Sequence, residues 1–233
     1  QIALTCHNAA VPYVCWNVDS PLISMFHKSI FLDTNLIFTF DKTEQQQFSH
    51  AGVKNIYHLP LASNVSRLNT LLSHKESLSI YESELSFVGD LYQRNEYDDI
   101  AKNLPEYLLG YLDAVINAQL LVTSGNIIEP MLSEDILDSL SHYYTLEKDA
   151  DSFSNLKLVF ANTILGYKVA CITRTSYLCE LAKIAPLSIY TKSHLDGLPL
   201  LIHKGIADYE TQMPKIFHES KININITAKS IRS

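Results

Sequence analysis

Short apolar runs alternate with amphipathic stretches along this chain, the pattern of an α/β protein built on parallel sheet. Val11–Trp16, β-branched and aromatic, predicts a buried strand. Asp19-Ser-Pro follows as a helix entry, with Pro21 near the first helical position. A second strand falls at Leu36–Phe40. Lys42–Ala51 has helical spacing and stops at Gly52, a C-cap signal. Asn55–Leu61 predicts a third strand, closed by Ala62-Ser-Asn.

From Leu71 to Glu84 the chain turns polar and serine-rich, which marks a domain boundary and divides it into residues 1–82 and 83–233. Leu85–Val88 predicts a strand running into Gly89-Asp-Leu-Tyr. Residues 96–150 carry no strand pattern. Tyr107–Leu121 and Glu134–Tyr144 have helical spacing with many carboxylates, which predicts a helical insertion in the second domain. Its acidic face is a solvated surface or a partner site. Phe153, Leu156, Phe160 and Ile164 share one helical face, so a core-facing helix follows. Strands are expected at Leu187–Tyr190 and Leu200–His203, a helix at Tyr209–Glu219, and a last strand at Ile222–Ile226. The Ile-Asn-Ile-Asn-Ile alternation of that strand makes one face polar, as in an edge strand or one bordering a cleft. The chain begins inside a helical pattern and stops just after a strand, so both domains read as incomplete.

Composition narrows the picture. With 233 residues, 47% hydrophobic and 18% charged, a buried core is feasible and disorder is disfavoured. A net charge of -7 argues against binding nucleic-acid backbones. It leaves room for a single nucleotide, whose diphosphate helix N-terminal amides can hold. The longest apolar stretch, Leu156–Ile172, is interrupted by Lys157, Asn162 and Lys168, so no transmembrane segment is expected. The start of the chain has no signal-peptide pattern, and the protein reads as soluble and cytoplasmic. Cys6, Cys15, Cys171 and Cys179 lack CxxC or zinc spacing and read as thiols in a reduced cytosol. The nine histidines form no metal pattern, so no metal site is expected.

In open parallel sheets ligands bind beyond the carboxyl ends of the strands. That rule selects Asn17, Asp19 and Ser20 after the first strand, and Ser63 and Asn64 after the third. It selects Gly89, Tyr92 and Arg94 after the fourth, then Thr191 and Ser193, then Lys204, Gly205 and Tyr209, and finally Thr227 and Ser230. A glycine at position 89 lets backbone amides approach an anion, and Arg94 adds a charged fork; the plainer reading is a turn glycine and a surface arginine. Asp19 can take a proton from an attacking hydroxyl, or, with Ser20, cap a helix ahead of Pro21. No GxGxxG, GxxxxGK[ST] or GxSxG is present, which removes the usual dinucleotide, P-loop and serine-hydrolase signals.

Val11-Pro-Tyr-Val-Cys-Trp-Asn-Val-Asp-Ser-Pro-Leu resembles the "PYV-x-W-x-x-DSP" segment of the CgeB-like glycosyltransferases. Ile37-Phe-Thr-Phe-Asp-Lys and Tyr57-His-Leu-Pro-Leu-Ala-Ser-Asn resemble the strands that follow in that family's N-terminal domain. Ser86-Phe-Val-Gly-Asp-Leu-Tyr resembles the first strand and loop of its nucleotide-binding domain. His203-Lys-Gly through Tyr209, Met213-Pro-Lys-Ile-Phe and Ser220-Lys-Ile-Asn-Ile-Asn-Ile-Thr resemble that domain's later segment. The resemblance implies a GT-B fold, two Rossmann-like domains, and metal-independent transfer of a sugar from a nucleotide-diphosphate donor to a hydroxyl acceptor. No further cofactor is implied. Gly89, Tyr92 and Arg94 would meet the diphosphate, with Lys204, Gly205 and Tyr209 near the nucleotide. Asn17, Ser20 and Asn64 would lie on the acceptor side, with Asp19 as general base of an inverting reaction. The acidic residue that often holds the donor ribose or sugar in related enzymes would fall beyond Ser233. The rivals are a noncatalytic nucleotide- or sugar-binding module and an α/β interaction domain using Glu134–Asp151 as its contact surface.

Overall fold

A computed structural model describes residues 1–73 and 79–229. Part of the expected boundary stretch, and Ser230, lie outside the described residues. In chain order the elements are α1 (Ile2–Asn8), β1 (Tyr13–Asn17), β2 (Asn35–Thr39), α2 (Lys42–His50), β3 (Ile56–His58), α3 (Val65–Leu72), β4 (Ser83–Val88), α4 (Glu96–Ile100), α5 (Glu106–Leu121), α6 (Ile128–Met131), α7 (Glu134–Ser141), α8 (Leu156–Val159), α9 (Leu165–Ala182), β5 (Leu187–Tyr190), β6 (Leu201–His203), α10 (Met213–Glu219) and β7 (Ser220–Asn223). Each expected strand is found, Leu187–Tyr190 with the ends expected and the others with shifted ends, and the protein is a mixed α/β structure with parallel sheets.

The chain divides into two compact units that are not the expected halves. Unit 1 holds Gln1–Ala62, Glu96–Gly166 and the segment from Ala228; unit 2 holds Ser63–Asn95 and Tyr167–Thr227. The helical segment 96–150, expected as an insertion of the second domain, therefore packs with the first. The cause is visible where that segment ends: the Phe153 amide donates to the Phe26 carbonyl at 2.8 Å, the Phe153 ring meets Phe26 edge-on at 5.7 Å, and Lys28 pairs with Asp151 at 2.9 Å. Partners more than a hundred residues apart leave no trace in local periodicity.

In unit 1 the parallel sheet runs β1-β2-β3, with Cys15 opposite Ile37 and Ile37 opposite Ile56. Its core gathers Met25, Phe26, Ile30, Ile37, Phe48, Val53 and Ile56. α2 forms because the Asp41 carboxylate accepts the amides of Thr43 and Glu44, and it stops at Gly52, whose φ of +100° suits glycine. β1 is not the buried strand expected: it is an edge, with Val14 and Trp16 exposed. The helix expected after Asp19-Ser-Pro is only a 3-10 turn at Ile23–Met25, entered through a cis Ser20–Pro21 bond and capped by neither Asp19 nor Ser20. α5 buries Leu108, Leu112, Val115 and Ile116 on one stripe, and α7 buries Leu137 and Leu140.

In unit 2 the parallel sheet runs β6-β5-β4-β7, with Leu85 opposite both Leu187 and Ile222. β7 is an edge strand, one of the two settings that its alternating pattern allows. Leu85, Phe87, Leu91, Leu178, Leu187, Ile189 and Leu201 form the core. From Leu156 to Ala182 the chain is helical without a break, including a π-helical turn at Phe160–Ile164. Contrary to the sequence expectation, this helix is long and apolar enough to cross a membrane, with a mean hydropathy of 1.3 over its best window, half of which is buried inside the protein. Phe160, Ile164, Leu165, Val169 and Leu178 are buried along it, which accounts for its apolar character as core packing.

Leu187 sits at the centre of the second sheet and is 0% exposed. Leu187→Ala is expected to cost about 2–5 kcal/mol in a denaturant melt. A loss below about 1 kcal/mol would contradict the placement of this core.

Candidate functional site

The first place where chemistry can occur is the carboxyl edge of the β6-β5-β4-β7 sheet. The chain enters at β4, moves outward to β5 and β6, then returns to the other side of β4 as β7. Such a reversal of strand order opens a crevice beyond the strand ends. Ser86 donates to Asn223 at 2.7 Å, fixing β4 against β7. Past β4 the chain must turn over its own core. A side chain at Gly89 would put a Cβ 3.2 Å from a Phe87 ring carbon, a tight approach that the ring would have to relieve by a few tenths of an ångström. Asp90 then closes an Asx turn, accepting the Tyr92 amide at 2.8 Å, and Tyr92 adopts φ +53°. Leu91 between them is buried in the core.

The turn is tied to its neighbours through Asp90. Its carboxylate accepts Ser193 Oγ at 3.1 Å and pairs with Lys192 Nζ at 3.0 Å, joining the loops after β4 and β5. Partial burial opposes the charge, but the Tyr92 amide, Lys192 and Ser193 outweigh it and hold the carboxyl below the usual carboxylate range. On the other side lies Arg174, from α9. Its Nε donates to the Ile226 carbonyl at 3.0 Å and its Nη1 to the Asp90 carbonyl at 2.5 Å, so one guanidinium joins the loops after β4 and β7. It also lies over the rings of Tyr92, at 4.9 Å, and Phe87, at 5.7 Å. Tyr92 in turn stacks on Tyr167 with centroids 4.7 Å apart.

Beside this joint lies a cavity of about 430 Å³ lined by Asp90, Gln93, Arg94, Lys192, Ser193 and His194. Arg94 is exposed, and with Lys192 against Asp90 the lining carries a net positive charge in a chain of net charge -7. An anion is the ligand such a lining favours. Of the expected donor-side residues, the structure brings Gly89, Tyr92 and Arg94 to this edge. Lys204, Gly205 and Tyr209 do not line the cavity; Gly205 instead accepts the Thr191 amide at 2.8 Å, and Tyr209 is 73% exposed. Sequence reading passed over Asp90, Lys192 and Arg174. Asp90 adjoins the glycine that was singled out, whereas Arg174 meets partners 84 and 52 positions away and has no local signature.

The second place is the carboxyl edge of the β1-β2-β3 sheet in unit 1. Asn17 is buried and donates to Glu44 Oε2 at 3.1 Å; Thr39 donates to the same oxygen at 2.5 Å. Ser20 donates to Asp41 at 2.5 Å. Asp19 is exposed, its amide donating to Asn17 Oδ1 at 3.1 Å. Asn64, expected on the acceptor side, caps α3 by accepting the Arg67 amide at 3.0 Å, and it belongs to unit 2. Burial, foremost, and the nearby Asp41 charge raise the Glu44 carboxyl, against the opposing bonds from Thr39 and Asn17 and the Leu22 amide.

His27, Asp149 and Asp151 also gather in unit 1, with one ligand atom from each within 4.8 Å of the others, a grouping sequence reading did not anticipate. His27 Nδ1 accepts the Ser29 amide at 3.0 Å, which leaves its proton on Nε2, facing Asp149 at 3.4 Å. A metal there would have to displace that proton and compete with Lys28 for Asp151. Comparison with family models, curated proteins and solved structures finds no match to this chain.

Glu44 yields a pH prediction. Its folded-state pKa lies above the unfolded carboxyl value near ~4.3, so between the two the folded protein holds more protons and stability falls as pH rises. Glu44→Gln removes that fall, so its stability profile from about pH 4 upward should be flatter than that of the parent. Parallel profiles would contradict the assignment.

Proposed function

We propose that this chain is part of a metal-independent glycosyltransferase of the GT-B type, with unit 2 holding the nucleotide-diphosphate-sugar donor and unit 1 supplying the acceptor side. The observation that carries the reading is the cationic cavity of about 430 Å³ at the carboxyl edge of a parallel sheet whose strand order reverses at β4. Two units that each hold a parallel sheet, and the segments that resemble those of CgeB-like enzymes, support it further.

In this scheme Arg94 and Lys192 take the diphosphate, Lys192 leaving Asp90 or bridging to it, and His194 borders the same anion. The loop Gly89–Tyr92 presents its backbone to the donor, kept in shape by Arg174. The bond from the anomeric carbon to the diphosphate oxygen breaks as the acceptor oxygen bonds to that carbon. The cationic lining offsets the charge that grows on the departing diphosphate. For an inverting reaction Asp19 takes the acceptor's proton; for a retaining one it orients the acceptor. Its exposed carboxylate, at the end of β1, is accessible for either task.

Melting curves against UDP, GDP, ADP and their sugar conjugates test the donor side. A ligand at about 100 times its Kd adds about 2.7 kcal/mol, which at this size raises the midpoint by roughly 5–11 °C. One nucleotide family is expected to shift the midpoint, and Arg94→Ala to shrink the shift. No shift from any nucleotide would overturn the donor site. Asp19→Ala should fold normally and, in the inverting case, lose about 10²–10⁴-fold in transfer rate. Full transfer activity would remove Asp19 from the mechanism.

A further inference from the structure

An open sheet ends in two edge strands whose outer amides and carbonyls lack a ladder partner, and proteins blunt such edges with short strands, proline or charge. Among the described strands three of the four edges are blunted in this way. β3 and β6 are only three residues long, and β7 carries Lys221, which pairs with Glu84 at 2.5 Å. β1 is the exception. It runs for five residues, Tyr13-Val-Cys-Trp-Asn, with neither a charge nor a proline. Val14 and Trp16 on it are 61% and 46% exposed.

The register fixes which groups of β1 are left over. The Tyr13 amide donates to the Thr34 carbonyl at 2.9 Å, and Tyr13, Cys15 and Asn17 stand opposite Asn35, Ile37 and Thr39. Alternate residues of a parallel strand turn the same way, so these three bond to β2 while the amides and carbonyls of Val14 and Trp16 point outward. That outward set is complementary to itself. With a second β1 running antiparallel beside the first, Val14 of each copy meets Trp16 of the other as a hydrogen-bonded pair. Slid toward the amino end, the pairing would set Pro12, which has no amide, against Trp16. Slid the other way, it would need Val18, which lies beyond the strand.

We propose that the free edge of β1 binds a second copy of this chain. The two β1 strands pair across a two-fold axis, and their sheets join into one of six strands in the order β3-β2-β1-β1-β2-β3. Val14 of each copy packs beside Trp16 of the other on the same face, a β-branched residue against an aromatic one. The axis passes between the two Cys15 residues, which become a non-hydrogen-bonded pair with Cα atoms about 4.5 Å apart. Strand pairing alone covers less than the roughly 800 Å² per partner of a standard interface, so the dimer is reversible and concentration-dependent. None of these residues lines the cavity beside Asp90, so the dimer and the donor site stand or fall separately.

Sedimentation velocity of the whole chain in reducing buffer, from about 5 to 500 μM, reads the assembly through its concentration dependence. The parent is expected to pass from monomer to dimer. Val14→Pro removes an outward amide and no bond to β2, and Val14→Lys sets a charge at the edge. Both are expected to stay monomeric with an unchanged circular dichroism spectrum. Oxidation by diamide reports the register, because Cα atoms about 4.5 Å apart fall within disulfide reach. Two Cys15 thiols lose two protons and two electrons as their S–S bond forms, and diamide takes these up as it is reduced to the hydrazine. Peptide mapping is expected to find Cys15 linked to Cys15, and Cys15→Ser to abolish that covalent dimer. A parent that is monomeric at every concentration overturns the proposal. So does a dimer that Val14→Lys leaves intact, or one that yields no Cys15–Cys15 link. Open-ended assembly overturns it as well, since a two-fold pairing uses up the edge. If Val14→Pro fails to fold, Val14→Lys decides, because that side chain is mostly exposed.

Discussion

Parallel pairing sends β4, β5, β6 and β7 out of their sheet at the same edge, and the loops that leave there have no ladder of their own to hold them. Side chains must do the work that hairpin turns do in antiparallel sheets. In unit 2 two groups share it. The Asp90 carboxylate collects Lys192, Ser193 and its own Tyr92 amide, and the Arg174 guanidinium collects the carbonyls of Asp90 and Ile226. Three loops thereby become one surface. The cationic cavity is a by-product of that bracing, because the lysine that steadies Asp90 lies on the same wall as Arg94. Glycine at 89 and the left-handed Tyr92 follow from the same requirement, since the turn has to pass over Phe87 and still deliver Asp90 to its partners.

Unit 1 meets the same constraint with the opposite chemistry. The loops beyond β1 and β2 are held by Asp41 and Glu44, which accept from Ser20, Thr39, Asn17 and the first turn of α2. Carboxylates brace by gathering donors from their neighbours, whereas a guanidinium brings five donors to share.

The strands were legible in the sequence because short β-branched runs and their bounding glycines and prolines are local signals. Gly52 ending α2 and the alternating edge strand near Ile222 were legible for the same reason. What failed was long-range. Val11–Trp16 looks buried by composition, yet it lies at an edge with Trp16 exposed. The helical segment 96–150 joins unit 1 through contacts of Phe153 and Asp151 with Phe26 and Lys28, which no window of sequence contains. Of the site, Gly89, Tyr92 and Arg94 could be found by the rule of strand ends. Glu44 reads as an ordinary first-turn acid of a polar helix, and only tertiary packing reveals that it is buried. Asn64 shows the converse, a polar residue after a strand whose task is to cap the helix that follows.

The central claim is that Arg174 holds the loops beyond β4 and β7 in place. Hydrogen–deuterium exchange on Arg174→Lys tests it most directly, since lysine keeps the charge but cannot span two carbonyls as a planar fork. The account predicts faster exchange at residues 89–95 and 224–227, with β4 and β5 exchanging as in the parent. Unchanged exchange in both loops, or a uniform increase across unit 2, would contradict it.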